Sequence, residues 1–135
     1  WAIVEEKPPV ESGELVNWLK KNQVKNKSRA YEMEVRESKK AILKYQLIGR
    51  SKNYFYLKID PTTGRHHQIR VQLSFMGCQI KGDVKYGAKR TNKDGGIHLF
   101  ARSISFIHPI KKEELTITAN PPVDPLWNEF LNLSS

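Results

Sequence analysis

Residues 41–47 constrain this chain more than any other stretch. Ala41, Leu43, Tyr45 and Leu47 share one parity, and Lys44 and Gln46 are among the residues on the other. Side chains on a strand alternate between faces with a period of two, so this stretch reads as a half-buried strand. IGRSKN supplies a turn and residues 54–59 (YFYLKI) a returning strand, which puts an antiparallel hairpin at the centre of the fold.

The other segments arrange themselves around that hairpin. Residues 1–6 are short, apolar and β-prone, and Pro8-Pro9 ends them, so they read as a strand. In SGELVNWLKK (12–21), Leu15, Val16, Trp18 and Leu19 cluster at near-helical spacing behind Ser12, so a short capped helical turn is expected, with loop over 22–29. A helix is expected from His67 to Met76, between the Thr-Thr-Gly start and the Gly77 stop. Ile69, Val71, Leu73 and Phe75 are its packing residues. An extended segment and a loop closed by Tyr86-Gly87 follow, then the polar loop KRTNKDGG. Residues 98–107 read as a strand ended by Pro109, and LTITA as its return. Asp124 caps, and Pro125 opens, a final amphipathic helix, LWNEFLNL. Strands outnumber helices and several adjoin through short turns. The expected class is α+β: a mixed, mostly antiparallel β-sheet with a few short helices.

A chain of 135 residues fits one domain with one core, and neither a repeat nor a second domain is visible. No apolar run approaches the roughly 20 residues that span a bilayer, so no membrane role is expected. The single Cys78 excludes an internal disulfide, is expected to be buried, and suggests a reducing, cytoplasmic setting. The net charge of +9 is uneven. Between Arg65 and Lys112 lie ten Lys/Arg against only Asp83 and Asp94, which concentrates eight of the nine charges in 48 residues. Such a stripe favours a polyanionic partner over a merely solvated face.

Much of that charge sits in residues 62–87, TTGRHHQIRVQLSFMGCQIKGDVKYG. Adjacent His66 and His67 point apart on a helix and have no Cys or carboxylate at helical spacing, so no metal site is expected. Cys78 lacks a nucleophile's partners, and no phosphate-binding glycine loop occurs. What remains is an anion-oriented set. Arg65, His66, Gln68 and Arg70 lie near a helix N-terminus, whose free N–H groups favour anions. Lys81, Lys85, Tyr86, Lys89 and Arg90 extend the basic surface. Arg70, five residues after Arg65, faces another side, and if it points inward it must meet a carboxylate. That partner could belong to an active site or to a structural ion pair.

TGRHHQIRVQL, then IKGDVKYG, then HLFARSISFIHP and ITANPP, in order over residues 63–122, resemble the RluA class of pseudouridine synthases, with a weaker likeness upstream in WAIVE. That family isomerises uridine in structured RNA without cofactor or metal. The resemblance implies that Arg70 is the active-site arginine, partner of an indispensable aspartate, and that Leu99 is an apolar residue lining the pocket. It places Arg65, His66, His67 and Gln68 on the RNA-facing and packing surface of the same motif, and gives Asp83 a turn-forming role. The implied partner is rRNA or tRNA.

The departures are equally informative. The family's aspartate lies in an H-R-L-D-x-x-T-S-G motif that these residues lack, and the family tyrosine would fall just before Trp1. Gln72 and Phe100 stand where many members have His. The chain is therefore expected to be a single partial domain, residues 1–135, the C-terminal portion of a synthase catalytic domain. Alone it should be inactive, with Arg70 lacking a carboxylate and an apolar face or sheet edge inviting self-association. The alternatives are a non-catalytic basic RNA-binding module and a small basic structural protein; the second would leave Arg70 on a convex surface.

Overall fold

A computed structural model describes residues 1–134. Its elements are β1 (Ala2–Val4), β2 (Ser12–Asn22), β3 (Lys27–Tyr31), β4 (Lys39–Arg50), β5 (Phe55–Pro61), α1 (Gln68–Phe75), β6 (Ser103–Ile107), β7 (Glu114–Thr118) and α2 (Pro125–Ser134), with a one-turn 3-10 helix over Val84–Tyr86. The main sheet has the order β1-β5-β4-β2-β3, and β6 and β7 form a separate pair. All strand pairs among the described residues are antiparallel. The α+β expectation holds, without the parallel component that a mixed sheet would have.

The hairpin read from alternation is β4–β5, with Leu43 opposite Pro61 and Leu47 opposite Leu57, and an irregularity between Leu47 and Gly49. Its two faces carry different helices. Leu73 of α1 packs with Ala2, Val4, Leu57, Cys78 and Ile80. On the opposite face, Trp1, Ile3 and Tyr56 meet Trp127 and Phe130 of α2. As expected of its cap, Asp124 Oδ1 accepts from the Leu126 N–H (2.8 Å) and the Trp127 N–H (3.3 Å).

β1 has partners on both edges. Beside β5, it bridges Ala2 to Leu99 and Val4 to Ile80, so three residues sit inside a pleated surface rather than at its rim.

Four expectations fail for physical reasons. Residues 12–21 are strand, because Leu15, Asn17 and Leu19 alternate inward between β3 and β4 while Trp18 lies under Lys40 on the other face. With both faces partly covered, the apolar residues cluster and mimic a helix. The expected 22–29 loop is only a short turn, since β3 begins at Lys27 and buries Ser28 and Ala30. The 98–107 strand divides: His98 bonds to Ile3 and Phe100 to Trp1, and only Ser103–Ile107 pairs with β7. Phe75, expected to pack, is 48% exposed at the end of α1.

Candidate active site

The loop before α1 is fastened to β4 by one side chain. The buried Gln68 accepts at Oε1 from Thr63 Oγ1 (2.7 Å) and the Arg65 N–H (2.9 Å), and donates from Nε2 to the Ile42 carbonyl (3.0 Å). Gln68 is buried with both ends of its amide engaged inside the fold, and these contacts set the loop. The chain then turns through His67, whose φ of 51° is left-handed and not stabilised by a side-chain cap. For a residue other than glycine this costs on the order of 1 kcal/mol. Ring contacts hold it there: His66 stacks on His67 at 3.8 Å, and both His67 nitrogens have partners.

Those partners define the site. Arg70 Nη1 lies 3.2 Å from His67 Nε2, and Tyr86 Oη 2.7 Å from His67 Nδ1. A guanidinium only donates, so Nε2 accepts and the neutral ring carries its proton on Nδ1, toward Tyr86. Tyr86 Oη also accepts the Ser28 N–H at 2.9 Å. Burial, then the charges of Arg70, His66 and Lys85, push the His67 pKa down to about 4, so the ring is neutral at physiological pH.

Arg70 is not without a carboxylate. Its Nε donates to Asp83 Oδ2 at 2.9 Å and its Nη2 to Asp83 Oδ1 at 2.7 Å, with the Asp83 side chain 1% exposed and that of Arg70 20%. Asp83 also forms the turn expected of it, its carbonyl accepting from Tyr86 and Ala88. The Tyr86 ring lies beneath the Arg70 guanidinium, 5.0 Å from Arg70 Cζ. These contacts unite the two sequence motifs: GDVKYG supplies the carboxylate and the aromatic floor that hold the arginine of GRHHQIR. The Asp83 contact is the carboxylate that an inward Arg70 demanded, and it could have been sought among the acids downstream. Three of the five Arg70 N–H groups are engaged in these contacts, which leaves two for another acceptor.

Arg70 lines a cleft of about 290 Å³ together with Arg65, His67, Ile69 and Leu99. Arg70 therefore stands in a concavity, not on a convex surface, and the structure brings it together with Leu99. A second cleft of about 290 Å³ continues past Ile69 and Leu99 to Lys58 and Arg102. The remaining residues of the basic set scatter. His66 turns away, its ring between Ser28 Oγ (2.9 Å) and Asn26 Oδ1 (3.1 Å). Tyr86 is buried, so it packs rather than stacking on a base. Lys81 donates to Asn92 Oδ1 at 2.6 Å, over the Tyr54 ring. Lys85 is exposed on the 3-10 turn, and Lys89 and Arg90 on the loop that follows it. Cys78 is buried, its thiol pushed up to about 11 by desolvation and then by Glu6.

The RNA pseudouridylate synthase family model matches residues 1–75, more than half the chain and inclusive of the GRHHQIR motif, so the chain belongs to that family. Among individual relatives, it is 37% identical over 86 residues to a tRNA pseudouridine synthase C of Haemophilus influenzae, covering 58% of this chain and 35% of that protein. It is 35% identical over 102 residues to an uncharacterized RNA pseudouridine synthase of Mycoplasma genitalium, covering 73% and 32%. The chain thus spans about a third of the length of these relatives. The fold matches Human RNA Pseudouridylate Synthase Domain Containing 1 with a TM-score of 0.72 at 17% identity, over 96% of this chain and 56% of that one. The resemblance read from the motifs is thereby confirmed at the level of family and fold.

Proposed function

We propose that this chain is the C-terminal portion of the catalytic domain of an RNA-modifying isomerase that converts uridine to pseudouridine in rRNA or tRNA, in the cytoplasm. The carrying observation is Arg70: held bidentately by Asp83 and braced by His67, it keeps two N–H groups unengaged and lines one cleft with Leu99. In this reading the cleft receives a flipped uridine and Leu99 packs on it. The remaining Arg70 donors hold the reactive carboxylate, which residues outside these 135 supply. The N1–C1′ bond breaks, a C5–C1′ bond forms, N1 gains a proton and C5 loses one. Asp83 is not that carboxylate, since its oxygens are spent on Arg70 inside the fold.

Release of tritium from 5-tritiated uridine in RNA tests the reading in the full-length protein. Arg70→Lys keeps the charge but loses the bidentate fork; it should abolish tritium release while changing RNA affinity little. Full turnover by the variant, or any turnover by the isolated 135 residues, overturns the assignment. The isolated chain should also self-associate through β6–β7, where Ile104, Phe106 and Ile117 are 62%, 40% and 56% exposed. Monomeric sedimentation would count against that surface.

A further inference from the structure

We propose that a separate, basic cleft binds the phosphate backbone of the RNA strand flanking the target nucleotide, an inference that rests on the RNA-modifying reading above. This cleft, of about 430 Å³, is walled by Lys20, Lys21, Lys39, Arg65 and His66. None of the three lysines belongs to the motifs that build the uridine pocket.

Its placement follows from strand register. Leu15, Asn17 and Leu19 of β2 and Ala41 and Leu43 of β4 turn toward α1, and Leu19 lies opposite Lys39. Beyond the N-terminal end of α1, the same rows run on as Lys21 and Lys39 instead of apolar residues. The sheet surface left uncovered by the helix is therefore cationic. Among the described residues, none of Lys20, Lys21, Lys39 and Arg65 has a carboxylate within 4.0 Å; the one salt bridge of a Lys or Arg is Arg70–Asp83. Glu37 is the single acid on the cleft's rim. Four like charges around a concave floor repel one another, and a bound polyanion relieves that repulsion.

Two features join this cleft to the uridine pocket. Gly64 and Arg65 line both. Arg65 is pinned through Nε to the Lys40 carbonyl at 2.9 Å, which leaves both terminal amino groups free for phosphate. The His66 ring, fixed to Ser28 and Asn26, forms the dividing wall and stacks on His67 of the pocket. A strand whose flipped nucleotide enters the Leu99 pocket thus leaves over Arg65 and runs along Lys39 and Lys21.

The test reverses charge at two exposed positions of the full-length protein, Lys21→Glu with Lys39→Glu, against a control pair elsewhere, Lys52→Glu with Lys111→Glu. Affinity for unmodified tRNA and rRNA transcripts is measured by anisotropy across a KCl series, and tritium release at saturating protein. The first pair should weaken binding roughly tenfold near 150 mM salt and flatten the plot of log affinity against log salt by about 1.5–2. Its saturated rate should be unchanged, and the control pair should shift affinity less than about threefold. Equal losses in both pairs would mean a diffuse field and overturn the proposal, as would an unchanged salt slope in the first pair. Should the unaltered protein release no tritium yet bind RNA with this Lys21/Lys39 dependence, the enzymatic reading fails and the phosphate track stands.

Discussion

Replacing Asp83 with asparagine tests how the site is held together. The carboxylate accepts two charge-assisted hydrogen bonds from Arg70 and is itself 1% exposed. The amide of the Asp83→Asn variant can accept one bond but leaves the guanidinium uncompensated. Breaking a buried ion pair by removing one partner costs about 3–5 kcal/mol. Because the Arg70 side chain remains 20% exposed, water screens part of that loss, and we expect about 3 kcal/mol. For a domain of this size each kcal/mol moves the melting midpoint by roughly 3–5 °C, so the variant should melt about 10 °C lower. Arg70→Met, which strands the fully buried carboxylate, should cost more, about 4–5 kcal/mol. The double variant Arg70→Met with Asp83→Asn should lose at least about 2 kcal/mol less than the two single losses combined. Thermal and urea melts followed by circular dichroism supply the cycle. If Asp83→Asn lies within about 1 kcal/mol of the unaltered protein, or if the cycle is additive, Asp83 does not hold Arg70 in place.

Gly82→Ala attacks the same device through the backbone. Gly82 has a φ of +88°, and an added Cβ would lie 2.7 Å from the Gly96 carbonyl oxygen, so a loss of about 2–4 kcal/mol and a displaced Asp83 are expected, read as a lower melt and reduced tritium release. Acid should weaken the fold through His67: with its pKa down at about 4 against an unfolded value near 6.5, the unfolded chain binds the extra proton, so stability is full above pH 6.5 and falls between there and pH 4. His67→Phe should flatten that part of the urea-midpoint profile, and an unchanged profile would refute it. Asp124→Ala removes the α2 cap and should cost about 1 kcal/mol at neutral pH. Burial raises the Asp124 pKa, but the Leu126 and Trp127 N–H groups and His98 together hold it below its ordinary value, so its contribution is present at neutral pH and vanishes as pH falls through that lowered value. The variant's deficit should shrink accordingly in acid.

Legibility differed with the physics of each segment. The β4–β5 hairpin and α2 were plain because one face of each is buried and the pattern keeps a single period. β2 was not, since α1 covers one of its faces while Trp18 packs under Lys40 on the other. In the site, motif order singled out Arg70 and Leu99 as expectations, and the fold brings them to one cleft. The motif order did not reveal which polar groups turn inward. Gln68 and Tyr86 look like ligands for RNA, yet Gln68 spends its amide on Thr63, Arg65 and Ile42, and Tyr86 its hydroxyl on Ser28 and His67. Those partners are set by tertiary folding, as with Ser28 and Tyr86, 58 positions apart. Lys21 and Lys39 were invisible for the complementary reason: only strand register carries them past the end of α1.

The interior position of β1 bears on how the protein is made. Ala2, Ile3 and Val4 are all fully buried, and their partners are residues 55–57, Ile80 and Leu99. Synthesis runs from the N-terminus at roughly 5–20 residues per second, so Ala2 waits about 5–20 s for Leu99 to be polymerised, and longer for it to clear the ribosome. β2, β3, β4 and β5 can already pair in that interval, and β1 can lie on β5 while its other edge stays open. Closing that edge with residues 80–99 is a late step, and the open edge of β1 is exposed to misassembly and to chaperone capture until it is complete.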